Sequence, residues 1–458
     1  TSNLNYEQLS HLFIVLWIYG KIFEGSRAMQ PLRLRVTTAW RSKKARRIIS
    51  LLLLFILMPI FLYACFSDLP NQSSERLQGT LLVWYPEEGN LTDVVGLGLQ
   101  EFGKLNPQVT ILEQAIPVDE IPERFLKQSQ SGLGASVILI FSRNIPGLVS
   151  QGVLEEIDRK NLDLSIYNPP TLKQVSYQGK IYGIPLGSRT NVLCYNQRKL
   201  QVSPDPLLKQ PPSSLEGLVE RARKGYSVGM VSSFEDTFWG MAIFGGYLWD
   251  DQGRLQPRLD GWAKWLEWLK FASSQPNFIL NRQRELLHDA FARGRLTYYV
   301  CNSIEIADLK NSLQDDLRVA LLPQETQGKA APILYTRVMV FNRNNSDNEN
   351  RLGLALGKFL TNPEQQLQAI IQTESFIPTN RRVQIEGNLL PIESVLLQQS
   401  QNAVAVPLDD WEKLNKILEE GEFWYERAIA GEISSSAAVQ QLTLYIQSDL
   451  DREVRTIN

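Results

Sequence analysis

Apolar and polar positions follow two periods along most of this chain. Thr80 to Tyr85, Val109 to Ala115 and Ser136 to Phe141 are short apolar runs of strand type. Between them, Leu91 to Asn106 and Ile121 to Ser129 carry apolar residues at helical spacing, marked in the first by Val94, Val95, Leu97, Leu99 and Phe102. Strands alternating with helices predict a mostly parallel sheet with helices on its faces. Pro146 to Val153 predicts a helix stopped at Gly152. Further on, Gln178-Gly179-Lys180 has the chemistry of a tight hairpin turn, Ile181 to Ile184 reads as a strand whose pairing Pro185 ends, and Val192 to Tyr195 opens another strand. Leu186 to Asn191 then reads as a short linker between two strands. Pro211 to Glu216 predicts a helix start with a capping box from Ser213 to Glu216. Asp260 reads as the cap of a helix bearing Trp262, Trp265, Leu266, Trp268 and Leu269, and aromatic residues three and four apart are what a packed face requires. Leu286 to Phe291 predicts a helix, Thr297 to Cys301 a strand, and Pro363 the first position of a new helix. Pro407 to Leu450 is helical, with Trp411, Leu414, Ile417 and Leu418 on one face and a break at Gly431. No internal repeat or low-complexity tract is evident.

The chain start is patterned differently. Arg41, Lys43, Lys44, Arg46 and Arg47 precede an apolar run from Ile48 to Ala64, broken only by Ser50 and Pro59, and then Cys65. That is the tripartite pattern of a secretory signal. Leu62-Tyr63-Ala64-Cys65 resembles a bacterial lipobox, whose cysteine receives a diacylglycerol, although Tyr63 stands where a small residue is usual. The alternative is an uncleaved anchor, because the apolar run sits at the short limit for a membrane span. Met29 reads as the translation start. Residues 1–28 are then a doubtful extension or a second membrane-associated segment, 29–64 a lipoprotein signal peptide and 65–79 a flexible polar tether.

Composition narrows the chemistry. A formal net charge of -2 gives no basic footprint for nucleic acid. Two histidines, His11 and His288, remove Ser-His triads, Cys-His dyads and ordinary His-based zinc sites, and His288 reads as part of a polar helical face. No Gly-rich phosphate loop and no cysteine pair at metal spacing is present, so neither cofactor nor metal is expected. Of the three cysteines, Cys194 and Cys301 lie in strand-like apolar segments. Two buried thiols is the favoured reading, with a disulfide as the alternative if those strands are neighbours.

Tyr177 to Asn196 places a hairpin turn, a strand, a proline and a second strand in the order that marks the passage between lobes in the extracellular solute-binding proteins of sugar-type ABC importers. With Leu154 to Ile157, the helix, turn and strand from Leu286 to Val300, Phe376 to Asn380 and the C-terminal helices, this stretch resembles that family from about Thr80 to about Leu450. Departures are Leu215, where a tryptophan is frequent, and the lack of a glycine before Phe376. The resemblance implies an α/β two-lobe periplasmic-binding-protein fold of type II. Each lobe would be a mixed, mostly parallel sheet flanked by helices, with the ligand cleft at the hinge. Motif order puts lobe 1 at 79–187 and 338–402 and lobe 2 at 191–335 and 403–458. It further implies a monomeric receptor, not an enzyme, that closes on a small polar solute, foremost a carbohydrate, and presents it to ABC permease transmembrane subunits. The receptor would be exported to the periplasm or the outer face of the cytoplasmic membrane, held there through lipid on Cys65.

Open α/β sheets bind ligands beyond strand carboxyl ends, which selects the candidate residues. Tyr85 and Glu88 follow the first strand, where Trp84 reads equally well as core; Arg143 and Asn144 follow the third. Arg189 lies at the passage between lobes, where maltose-type members have an acidic residue, so it implies either a hinge salt bridge or a more acidic ligand. Glu235 and Trp239 lie where such members contact sugar, and Trp239 is the first choice as a stacking platform. Asn302 follows a later strand, and Tyr335 and Arg337 lie at the return passage. Near Ile304 a stacking tryptophan found in some members is missing, and Tyr298-Tyr299 reads as strand packing rather than an iron site. Two other classes stay open: a surface glycan-acting enzyme using Glu88 with Glu235, and a ligand-sensing module without transport.

Overall fold

The computed structural model describes residues 76–88, 90–250, 253–373 and 375–457. The readings of the extension, the signal and Cys65 lie outside them. Among the described residues a six-stranded sheet has the order β15 (Ile377–Pro378), β6 (Ile184–Arg189), β14 (Tyr335–Phe341), β3 (Val137–Phe141), β1 (Gly79–Glu87) and β2 (Val109–Pro117). A five-stranded sheet has the order β11 (Phe278–Asn281), β8 (Val228–Val231), β12 (Tyr298–Asn302), β7 (Asn191–Asn196) and β13 (Leu317–Ala320). Two small hairpins, β4 (Ser176–Tyr177) with β5 (Lys180–Ile181) and β9 (Tyr247–Trp249) with β10 (Leu255–Arg258), stand apart.

β3 is buried along its whole length, as expected of a central strand covered on both faces, which is why its sequence is continuously apolar. The Asn90–Leu105 and Ile121–Gln130 helices supply the crossovers that let β1 pair in parallel with β2 and β3. In the second sheet β8 pairs in parallel with β11 and β12. All other neighbours in the two sheets are antiparallel. The expected predominance of parallel pairing is therefore corrected to mixed sheets, because the strand by which the chain enters each sheet from the other, β14 in the first and β7 in the second, runs against its neighbours on both sides.

The Gln178-Gly179 turn is found as predicted, with φ of 49° and 76° at its two central residues, the left-handed pair that a two-residue hairpin demands. Pro185 behaves differently from expectation. β6 passes through it and pairs with β14, Gly187 lying opposite Arg337 and Pro185 opposite Val338, so Leu186 is the extra residue of a bulge. A bulge spares proline the ladder bond it cannot make. Leu186 to Arg189 is consequently strand rather than linker, and Thr190 alone joins β6 to β7.

Helix starts shift by one residue. Ser214, not Ser213, caps the Leu215–Arg223 helix, its hydroxyl accepting from the Gly217 N–H at 3.0 Å. Asp260 is the first helical residue rather than the cap, where its charge suits the positive end of the helix. The tryptophan stripe of that helix is core, with Trp262 and Trp265 fully buried and Trp268 stacked on Trp265. Gly431, at φ 79°, separates the Trp411–Ile429 and Ser435–Ile457 helices, which pack together and on the Asp260–Ser273 helix. His288 faces Asp308 with 3.1 Å between Nε2 and Oδ2.

The thiol reading of the cysteines is corrected. β7 and β12 are antiparallel neighbours, Cys194 and Cys301 have Cα atoms 5.9 Å apart, and they form a disulfide. The bond closes a segment with a sequence separation of 107, so it restricts the unfolded chain strongly. Peptide mapping without reductant should recover these two residues linked, and replacing both with alanine should lower unfolding free energy by ~2–5 kcal/mol in denaturant titration.

Candidate functional site

Three passages of the chain between the sheets lie side by side. Thr190, fully buried, receives a bond from the Ser303 N–H through its carbonyl at 2.9 Å and donates its hydroxyl to the Ile333 carbonyl at 3.1 Å. Ile333 and Leu334 carry the return passage into β14. Val404, on the way to the C-terminal helices, donates to the Pro332 carbonyl at 2.8 Å and accepts from the Leu334 N–H at 2.9 Å. Gln174 adds a bond from its side-chain amide to the Leu334 carbonyl at 2.7 Å.

A cleft opens beside these passages, lined by Arg189, Tyr335, Arg337, Phe141 and Ser188 on its polar side and by Val94, Val95, Leu360 and Phe376 on its apolar side. Gly187 is required there, since a Cβ on it would lie 2.2 Å from the Phe376 ring. Phe141, the last residue of β3, is held between the guanidinium groups of Arg189 and Arg337, whose Cζ atoms are 4.2 Å and 4.1 Å from its ring centroid. Arg143, in the turn that follows, stands at 5.4 Å from the same ring. Glu88 accepts from Arg337 and lies 4.0 Å from Arg189. Tyr335 donates its hydroxyl to Glu235, which sits on the short Phe234–Thr237 helix after β8, so this bond links the two sheets' elements. Burial, with Glu235 beside it, pushes the Tyr335 hydroxyl well above the ordinary phenol range and keeps it a donor. Burial lowers both Arg189 and Arg337, the latter to about 10, while Glu88 acts in the opposite direction; each remains cationic at neutral pH.

Glu88, Arg143, Arg189, Glu235, Tyr335 and Arg337 therefore converge. Four other sequence candidates do not join them. Trp239 is corrected as a stacking platform: it is 0% exposed, with its ring 4.8 Å from Trp265, and nothing placed in the cleft reaches it. Tyr85 is buried with its hydroxyl 3.5 Å from Glu113 on β2 rather than within the cluster, and Trp84 is core. Asn302 caps the Ser303–Glu305 turn and donates to the Asn191 side chain at 3.0 Å. Asn144 ends the turn that bears Arg143, and no hydrogen bond of its side chain is found among the described residues. Phe141 was missed because an aromatic residue ending an apolar strand looks like core, and only the arginines around it mark it as part of a site.

The profile of the bacterial extracellular solute-binding proteins matches residues 99–388, more than half of the chain. The chain belongs to this family. Among curated relatives, this solute-binding protein is 29% identical over 149 residues to the maltodextrin-binding protein MdxE of Bacillus subtilis, covering 31% of this chain and 32% of that one. It is 23% identical over 204 residues to the galactooligosaccharide-binding protein of the same organism, covering 43% and 46%. The matched region thus spans less than half the length of either relative. Among solved structures, the GacH receptor of Streptomyces glaucescens, studied without ligand and with acarbose, superposes with a TM-score of 0.67 at 18% identity, over 80% of this chain and 97% of that one. At that identity the likeness establishes the two-lobe fold.

Because Trp239 is enclosed by the Asp260–Ser273 helix, Trp239→Ala should cost about 3–5 kcal/mol in chemical denaturation, the loss typical of a fully buried aromatic residue. A variant as stable as the parent protein would place that ring outside the core.

Proposed function

We propose that this protein is the solute receptor of an ABC importer, taking a small polar solute, a sugar, into the cleft beside Thr190 and delivering it to permease transmembrane subunits. The observation that carries the reading is the convergence of Glu88, Arg189, Arg337, Tyr335 and Glu235 on one cleft from elements of both sheets, in a chain of the solute-binding family. A sugar has apolar ring faces and a polar edge, and the cleft offers the Phe376 ring with Val94 and Leu360 as an apolar surface beside charged hydrogen-bonding groups. The names of the two curated relatives, binders of maltodextrin and galactooligosaccharide, support a carbohydrate.

In this reading residues 79–187 and 338–402 form one lobe, residues 191–335 and 403–458 the other, and the three adjacent passages are the hinge. Closure follows when a solute binds the closed form better than the open one, which requires contact with both lobes. No chemistry on the solute is needed. Glu88 and Glu235, the pair that could act on a glycan, are both engaged as acceptors, by Arg337 and Tyr335. The receptor works as a monomer outside the cytoplasm, tethered through lipid on Cys65.

A thermal-shift screen of sugars, polyols and sugar phosphates tests the proposal, because binding to the native state alone raises stability by mass action. One compound class should raise the midpoint in a concentration-dependent way; silence across the panel would count against a solute receptor. For the compound found, Tyr335→Phe should weaken binding by about threefold to tenfold, the worth of one hydrogen bond between the lobes.

A further inference from the structure

The cleft carries more positive charge than a neutral solute calls for. Arg143, Arg189 and Arg337 surround one aromatic ring, and the carboxylates nearest them are Glu88 and Glu235. Three guanidinium groups thus face two carboxylates, one of which is taken up by the Tyr335 hydroxyl. Among the described residues no carboxylate pairs with Arg143, which stays exposed at the mouth. The inner two arginines are incompletely used. Arg337 is only 7% exposed, and its Nη1 has no hydrogen-bond acceptor; the Nε of Arg189 has none either.

Leaving a buried charged donor unbonded costs free energy that an arriving acceptor would recover. Stacking on Phe141 offsets part of that cost but gives the N–H groups, which lie in the plane of the guanidinium, no acceptor. Both arginines line the cleft. Val94, Val95, Leu360 and Phe376 form the apolar part of the wall, which can meet a ring face but not a second charge.

Building on the solute-receptor reading, we propose that the cleft selects an anionic sugar, one bearing a carboxylate or phosphate group that Arg189 and Arg337 receive beside Phe141 while its ring lies on the Val94 and Phe376 wall. The guanidinium fork matches the spacing of carboxylate and phosphate oxygens. Arg143 at the mouth adds attraction during approach.

Calorimetric titration of the protein with matched sets tests this: glucose, glucuronate and glucose 6-phosphate, then galactose, galacturonate and galactose 6-phosphate. One acid should bind at least about tenfold more tightly than its neutral parent, and which acid does so separates carboxylate from phosphate recognition. Raising sodium chloride from about 0.05 to about 0.5 M should weaken the acid and leave the neutral parent unaffected. Arg189→Met should abolish the preference, and Arg189→Lys, which keeps the charge without the fork, should restore only part of it. The salt series on the unaltered protein decides the matter if a variant does not fold. Equal or tighter binding of a neutral parent would overturn the anionic assignment and leave solute binding standing. No binding by any of the six compounds would overturn the receptor reading and this inference together.

Discussion

The architecture depends on one buried residue. Thr190 ends one sheet and begins the other, and its carbonyl, its hydroxyl and its own N–H, the last bonded to the Ser303 hydroxyl at 3.3 Å, are all engaged. A buried backbone passage has to satisfy its polar groups within the protein, and here it does so by binding the return passage at Ile333, which in turn pairs with Val404. The three passages of the waist therefore hold one another.

The cleft's chemistry follows from that constraint. Arg189 directly precedes Thr190, Tyr335 follows Leu334, and Arg337 is two residues farther along the same strand, pointing to the same side. Phe141 ends the strand next to β14, opposite Arg337 in the ladder. Their proximity is thus set by backbone pairing and is independent of any ligand. The bulge at Leu186 belongs to the same device, since it re-aims the end of β6 and brings Gly187 under the Phe376 ring. Away from the waist the second sheet is stiffened by the Cys194–Cys301 disulfide and by the Trp239, Trp262 and Trp265 core.

Much of this was legible in the sequence, and what was not shares a cause. Element order, the Gln178-Gly179 turn, the packed tryptophan stripe and the arginine at the passage all follow from local spacing and turn chemistry. Apart from helix starts displaced by one residue, the misses depended on partners distant in sequence. Pro185 reads as a strand end until β14 pairs across it and Leu186 bulges out of the ladder. Cys194 and Cys301 read as separate thiols until β7 and β12 are known to be neighbours. Trp239 has the same local pattern whether it faces a cleft or a core, and only Trp265 decides it. Parallel pairing was overestimated because alternation of strand and helix says nothing of strands that enter from the other sheet.

The central claim is that the two lobes move about the Thr190 waist when a solute occupies the cleft. Small-angle X-ray scattering of the protein, without ligand and saturated with the sugar that stabilises it most, tests this most directly. The account predicts a smaller radius of gyration in the saturated protein and a scattering curve that shifts with occupancy. Identical curves at full occupancy would contradict hinge closure and leave a rigid binding protein in its place.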